Sequence, residues 1–215
     1  MRILLFGGTG RTGKLILEKA LNDGHNVTTI ARDPSKLDGL KARIIKGTPY
    51  DPENVKQAVC DCDVVISTLN VSRNSDSPWS KLRSPKDMIS QSIRNALNIM
   101  PEHGINRIIV MSTIGAGDSW NKMPFIFKLV ISSSSLRHAF KDHTRQEEIL
   151  AASGTNWTIV RFPVLTDENG EKEVRIKLNN DTKLNKTINR ESAARFILNI
   201  ISDERYFKKI AAISN

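Results

Sequence analysis

Apolar positions along the chain alternate between two rhythms. Short continuous runs occur at Arg2 to Phe6, Asn26 to Ala31, Ala42 to Gly47, Val64 to Leu69, Arg107 to Met111 and Trp157 to Arg161. Such runs are the pattern of strands buried on both faces. Between them the spacing turns helical. Leu15, Ile16, Leu17, Ala20 and Leu21 share one helix face, and Gly24 follows as a terminator. Further helices are predicted over Pro52 to Val59, from about Asp87 to Glu102 and from about Leu136 to Ser153. Strands alternating with helices imply an α/β fold, a doubly wound parallel sheet with right-handed crossovers. Beyond Pro163 the pattern gives short strands at Glu173 to Leu178 and Lys186 to Ile188, a helix at about Glu191 to Ile201 and a last strand at Lys209 to Ser214. Residues 1–215 read as a single domain, with about 163–190 forming a small substrate-side cap in the C-terminal region.

Two stretches break the rhythm. Asn70 to Pro85 and Thr113 to Ser135 carry turn residues and little periodicity, and each follows the carboxyl end of a strand. Ligands of open α/β sheets sit at that edge, and long loops there are commonly functional. Trp79, Trp120, Phe125 and Phe127 in these loops suggest a pocket lined with apolar rings. The run Ser132 to Ser135 reads as a mobile connection.

Charge changes the picture little. The chain carries a formal net charge of +9, but the cations are scattered and are not interleaved with aromatics as in a nucleic-acid stacking platform. A solvated basic surface that attracts anionic ligands is expected, with no nucleic-acid partner and no membrane partner. The longest apolar run, Phe125 to Ile131, is broken by Lys128 and is far too short to span a bilayer. Cys60 and Cys62 have no second pair to complete a zinc site, so no metal is expected and the thiols read as reduced, in a cytoplasmic protein.

The chemistry begins at "FGGTGRTG", Phe6 to Gly13, where Gly8, Gly10 and Gly13 satisfy G-x-G-x-x-G between a strand and a helix. That context makes the run a dinucleotide fingerprint. Gly7 and Gly8 allow a sharp turn, Gly10 admits a pyrophosphate to the backbone, and Gly13 lets the helix press on the sheet. Thr9, Arg11 and Thr12 complete the candidate loop, whose helix end offers unpaired N–H groups to phosphate. The fold is thus Rossmann-type. The second strand ends in Ala31-Arg32 rather than in the carboxylate that would bind a ribose 2′-hydroxyl. A guanidinium suits a 2′-phosphate, Lys36 lies one turn on, and Asp33 reads as a cap of the turn that follows. The expected cofactor is NADP(H). Thr48, Leu69 and Asn70, at or just past the ends of the third and fourth strands, are further candidate contacts.

Taken with "ARDPSKL", "DCDVVIST", "INRIIVMST" and "ILAASGTNWTIVRFP", the glycine run resembles the atypical short-chain dehydrogenase/reductases of the NAD(P)H-binding, NmrA-like group. Within it, "RDPSKL", "QSIRNAL" and "KDHTRQEEILAASG" are most similar to the biliverdin-IXβ reductase/flavin reductase type. The Tyr-x-x-x-Lys pair of tyrosine-dependent relatives falls on Ala139 and His143 here, which disfavours a tyrosine acid. The resemblance implies a catalytic role for Thr113 and His143, and cofactor contacts for Ser112 and Pro163. For Ser112 and Thr113 the alternative is a pair of hydroxyls closing a strand-end turn, and His143 reads equally as a packed side chain. The type's histidine after the proline is Val164 here, which points away from bilins and towards flavins. The implied function is hydride transfer from NADPH to a flavin, as substrate rather than prosthetic group, or to a similar conjugated acceptor. A non-catalytic NADP(H)-sensing regulator is the alternative.

Overall fold

A computed structural model describes residues 1–178 and 182–215. The strands are β1 (Arg2–Phe6), β2 (Asn26–Ala31), β3 (Arg43–Lys46), β4 (Val64–Ser67), β5 (Arg107–Thr113), β6 (Asn156–Phe162), β7 (Val164–Thr166), β8 (Arg175–Lys177), β9 (Thr187–Asn189) and β10 (Lys209–Ser214). The helices are α1 (Arg11–Asn22), α2 (Pro52–Val59), α3 (Met88–Ile99), α4 (Phe125–Ser133), α5 (Leu136–Ala151) and α6 (Arg190–Asn199). Eight strands form one sheet in the order β3-β2-β1-β4-β5-β6-β10-β8, parallel throughout except for β8 against β10. The strand order reverses between β1 and β4, which is where open α/β sheets bind their ligands.

The two-residue alternation of the strands builds both cores. Ile3 and Leu5 of β1, Val64 and Ile66 of β4, and Ile109 of β5 face α1 and α6. Leu4 and Phe6, Val65, Ile108 and Val110 face α2, α3 and α5. Because the apolar side chains on both faces of these strands are buried, a helix must cover each face. Helix α2 starts where Asp51 accepts the Glu53 N–H at 3.0 Å and Pro52 takes the first position. Helix α3 tightens to a 3-10 turn over Met100–His103, because Pro101 has no N–H to continue the α-helix.

Three expectations are corrected. Thr113 to Ser135 is not simply a loop: a 3-10 turn (Gly117–Lys122) and α4 occupy it. Helix α4 carries no amphipathic signal because its apolar residues lie on several sides. The serine run is held in place rather than loose, with Ser134 buried and the Ser135 N–H donating to the Pro78 carbonyl at 2.9 Å. The expected cap segment divides: β7 pairs with β9 in a separate two-stranded ladder, while β8 joins the edge of the main sheet. Residues 179–181 of that segment lie outside the described residues. No helix among the described residues is long and apolar enough to cross a membrane.

Candidate functional site

The turn after β1 is shaped by what surrounds its glycines. Gly7 has φ +87°, and a Cβ there would stand 2.6 Å from Thr68 Oγ1. A Cβ on Gly8 would meet Thr29 Oγ1 at 2.6 Å, and one on Gly13 would meet the Gly7 carbonyl oxygen at 2.0 Å. The first turn of α1 is thereby pressed against the end of β1. Thr68 donates to the Phe6 and Gly7 carbonyls at 3.0 and 3.3 Å, and Thr29 to the Leu5 carbonyl at 2.7 Å. These two threonines hold the turn in place, and sequence reasoning missed both. They stand on β2 and just after β4, the strands that flank β1, and that position was the available signal.

Gly10 differs from its neighbours. Its backbone is extended, and a Cβ would meet only the Gly7 oxygen, at 3.3 Å. It is the N-cap of α1 and supplies no side-chain bond to the first-turn N–H groups. Those donors are left at the positive end of the helix dipole, the arrangement that binds phosphate. Thr9 and Arg11 are exposed beside it, and Thr12 and Gly13 are buried. The Arg11 guanidinium reaches Asp76 at 3.2 Å and Asp167 at 3.3 Å, so it links the loop after β4 to the segment after β7.

At the end of β2, Arg32 and Lys36 are exposed. Asp33 precedes the 3-10 turn Pro34–Leu37 as expected of a cap, but its carboxylate accepts the Ser35 hydroxyl at 2.7 Å. That bond, followed by the fields of Lys36 and Lys46, holds its pKa below the usual carboxylate range. Lys46, at the end of β3, is a third cation of this cluster that sequence reasoning missed. Thr48 is half-buried, with its hydroxyl accepting the Tyr50 N–H at 3.3 Å. Leu69 is half-buried and Asn70 exposed, the Asn70 side chain accepting the N–H of Val71 at 2.8 Å. Pro163 is half-buried just beyond β6.

The acceptor side is arranged differently from the sequence expectation. Ser112 is buried, and its hydroxyl donates to Glu147 at 2.6 Å. Glu147 is in turn held by Arg161 through Nε at 3.0 Å and a terminal nitrogen at 2.6 Å. Arg161 also meets the exposed Asp118 at 2.6 Å. Thr113 is half-buried at the strand end, with a local bond to the Ile114 carbonyl at 3.2 Å. His143 is 5% exposed, and burial pushes its pKa down to about 4. Gln146 Nε2 donates to the Met111 carbonyl at 2.8 Å, which fixes the amide orientation. The same nitrogen then donates to His143 Nδ1, also at 2.8 Å. His143 is therefore neutral, with its proton on Nε2, and the geometry favours the packed reading. Of the four rings expected to line a pocket, Trp79, Phe125 and Phe127 are exposed, and Trp120 packs edge-on against Phe140. A cavity of about 760 Å³ lies at the opposite, amino-terminal edge of the sheet, between Leu97, Pro101, Ile105 and Ile149.

A family model described as NAD(P)H-binding matches residues 7–204. Among solved structures, the chain is similar over its whole length to ChuY, an anaerobillin reductase from Escherichia coli O157:H7, with a TM-score of 0.81 and 21% identity over 97% of that chain. It is also similar to a short-chain dehydrogenase/reductase from Veillonella parvula in complex with NADP, with a TM-score of 0.78 and 16% identity over 94% of that chain. At these identities the likeness is one of fold. Among curated proteins, phenylcoumaran benzylic ether reductase TP7 of Nicotiana tabacum is 30% identical over 86 residues, which cover 35% of this chain and 28% of that protein. Photosystem II assembly factor Ycf39 of Synechocystis sp. is 28% identical over 129 residues, 59% of this chain and 37% of that one. The chain spans well under half the length of these curated relatives.

Proposed function

The chain belongs to the NAD(P)H-binding family, and from that premise we propose that it is an NADPH-dependent reductase of flavins or similar conjugated acceptors. The first-turn N–H groups of α1 would hold the pyrophosphate, with Gly10 leaving the approach clear. Arg32, with Lys36 and Lys46, would hold the 2′-phosphate, and the bond of Asp33 to Ser35 keeps that carboxylate occupied. Thr113 and Pro163, at the ends of β5 and β6, would position the nicotinamide and the acceptor. The bound cofactor supplies hydride; the chain supplies proximity and orientation, worth up to about 7–11 kcal/mol in favourable cases.

The observation that carries this reading is the environment of position 139, where a tyrosine acid would stand. Ala139 is buried against Val71 and Ile89. The two tyrosines are engaged elsewhere: Tyr50 donates to Asp87 at 3.3 Å, and Tyr206 packs edge-on against Phe196. Acceptors that spread the incoming charge over a conjugated system and take their proton from water are the ones this arrangement suits. Cytoplasmic placement fits the same reading.

A second reading, an NADP(H) sensor without turnover, draws support from His143, which is packed and neutral. One experiment separates the two. Purified protein is mixed with NADPH and, in turn, FMN, riboflavin, a bilin and a quinone, and the nicotinamide absorbance is followed. Catalysed oxidation with any of them supports the reductase. Tight NADPH binding with no acceleration by any acceptor overturns it in favour of the sensor.

A further inference from the structure

Helix α4 turns its apolar side chains outward. Phe125, Ile126, Phe127 and Leu129 are each more than half exposed, Phe125 reaching 78%. Trp79, at 65% exposed, stands beside the junction of α4 and α5, since the Pro78 carbonyl accepts both the N–H and the hydroxyl of Ser135. Elsewhere in the described chain, only Met1 and Val164 among large apolar side chains are comparably open. Exposure this concentrated marks an interaction surface.

The cations around the patch identify what it fits. Lys122 and Lys128 lie on the same connection, and Arg137 donates to the Ser134 carbonyl at 3.1 Å, at the end of α4. Lys86 and Lys141 approach the same place, for with Arg137 they act on His138, which burial foremost and then these three charges hold below its ordinary pKa. Among the described residues, none of these five cations lies within ion-pair distance of a carboxylate. Asp118, whose carboxylate feels Lys122, is bonded to Arg161. The whole chain, these five cations included, carries a formal net charge of +9.

A second copy of the chain is a poor occupant, because pairing this face with itself would bring like charges together. A protein groove is also a poor match. Grooves read a single stripe at i, i+3 and i+4, whereas residues 125, 126, 127 and 129 spread over roughly 200° of the helix circumference. A broad exposed apolar surface bordered by unpaired cations suits an anionic lipid interface. We propose that the α4 face is a docking surface for anionic phospholipid membranes. Phe125, Ile126, Phe127, Leu129 and Trp79 enter the interface, and Lys86, Lys122, Lys128, Arg137 and Lys141 meet the headgroups. This is attachment to one leaflet, distinct from spanning, and it does not depend on the reductase reading.

Co-flotation of the full chain with vesicles tests it, using phosphatidylcholine mixed with phosphatidylglycerol against phosphatidylcholine alone. At low salt the protein should float with the anionic vesicles only, and its tryptophan emission should shift to the blue. Phe125→Ser with Phe127→Ser should weaken binding at least about tenfold. Lys128→Glu should weaken it about fivefold or more, the value of one cation near such a surface. Unchanged NADPH binding and urea midpoints would show that these surface variants are folded. No flotation with anionic vesicles, equal flotation with neutral ones, or full binding by the double phenylalanine variant would overturn the proposal. So would a wild-type dimer that ignores vesicles and that the same variant makes monomeric, since the face would then join two copies.

Discussion

In the turn after β1, a methyl group added at Gly7, Gly8 or Gly13 would come within 2.0–2.6 Å of a neighbouring atom. In the connection after β5, Phe125, Ile126, Phe127 and Leu129 project into solvent. Both segments lie at the carboxyl edge of the same sheet. The first is defined by backbone and small side chains that leave one conformation available. The second reaches its outer helix with no such enclosure, so its side chains are free to serve a partner or an acceptor. Cofactor recognition depends on strand ends in fixed register, and a turn that is slightly misplaced would lose it. The largest mutational effects are therefore expected at the turn.

The comparison breaks most sharply within the turn itself. Gly13→Ala places a Cβ against backbone that cannot move away, because the Gly7 carbonyl also accepts the Gly10 N–H at 2.9 Å. Its cost should exceed the roughly 1–3 kcal/mol of ordinary overpacking, and urea denaturation should find a largely unfolded or strongly destabilised protein. Gly10→Val, facing open space apart from one oxygen, should keep a near wild-type midpoint and lose NADP(H) binding in a titration. Retained binding by the folded Gly10→Val protein would reduce the glycines to a packing role.

The connection after β5 is not uniform, and Glu147 sharpens the contrast inside it. Gly117 has φ +53°, and a Cβ there would stand 2.6 Å from Glu147 and 2.8 Å from Arg161. The base of the connection is therefore seated on a buried ion pair, while α4 beyond it is open. Glu147→Gln would leave the Arg161 charge buried, with only the exposed Asp118 as a carboxylate partner. Removing one member of such a pair costs about 3–5 kcal/mol. An unfolding free energy from urea denaturation that fell by less than about 1 kcal/mol would show that the pair does not anchor the connection.

How much of this was legible in the sequence follows the same division. β1, β2, α2 and β10 match their expected limits, because buried strands and a proline-capped helix carry strong local signals. The glycine turn was readable because its constraints are local, a few residues between a strand and a helix. Lys46, Thr29 and Thr68 were not, since each meets the site through a neighbouring strand, and pairing register is absent from a one-dimensional reading. Helix α4 escaped because periodicity detects helices with one buried face, and this one has several exposed ones. The inward turn of Ser112 was hidden for a related reason. Its partner Glu147 lies on α5, and the charge that makes a buried Glu147 tolerable, Arg161, lies on β6.

His143 lies on the same helix as Glu147, and its effect is read through pH. Burial holds the folded pKa at about 4, below the ordinary value of 6.5. Between those values the unfolded chain binds a proton that the folded chain refuses. The neutral side chain thus contributes stability that is fully present above pH 6.5 and is lost as pH falls towards 4. The loss amounts to at most about 3 kcal/mol. His143→Gln should flatten that part of the stability profile, as measured by urea midpoints across the window. A profile unchanged by the substitution would mean that His143 titrates freely and is accessible, which would restore it as a candidate catalytic group.

The smallest effect expected is at Arg32, and it tests whether the cofactor end is selective as well as rigid. The residue is exposed, so its removal should leave stability within about 0.5 kcal/mol. A charge-assisted contact to a 2′-phosphate is worth about 1.5–3 kcal/mol, so wild-type protein should prefer NADPH over NADH by at least about tenfold. Arg32→Ala should remove most of that preference while leaving NADH affinity unchanged, because NADH offers no phosphate at that place. Lys46 makes the experiment more discriminating. With Lys36 it already acts on Asp33, so Lys46→Ala alone should reduce the preference partly, and the double variant should abolish it. Equal affinities for the two cofactors in the wild type would remove the role assigned to all three cations, and the rigid turn would then bind the pyrophosphate without reading the ribose.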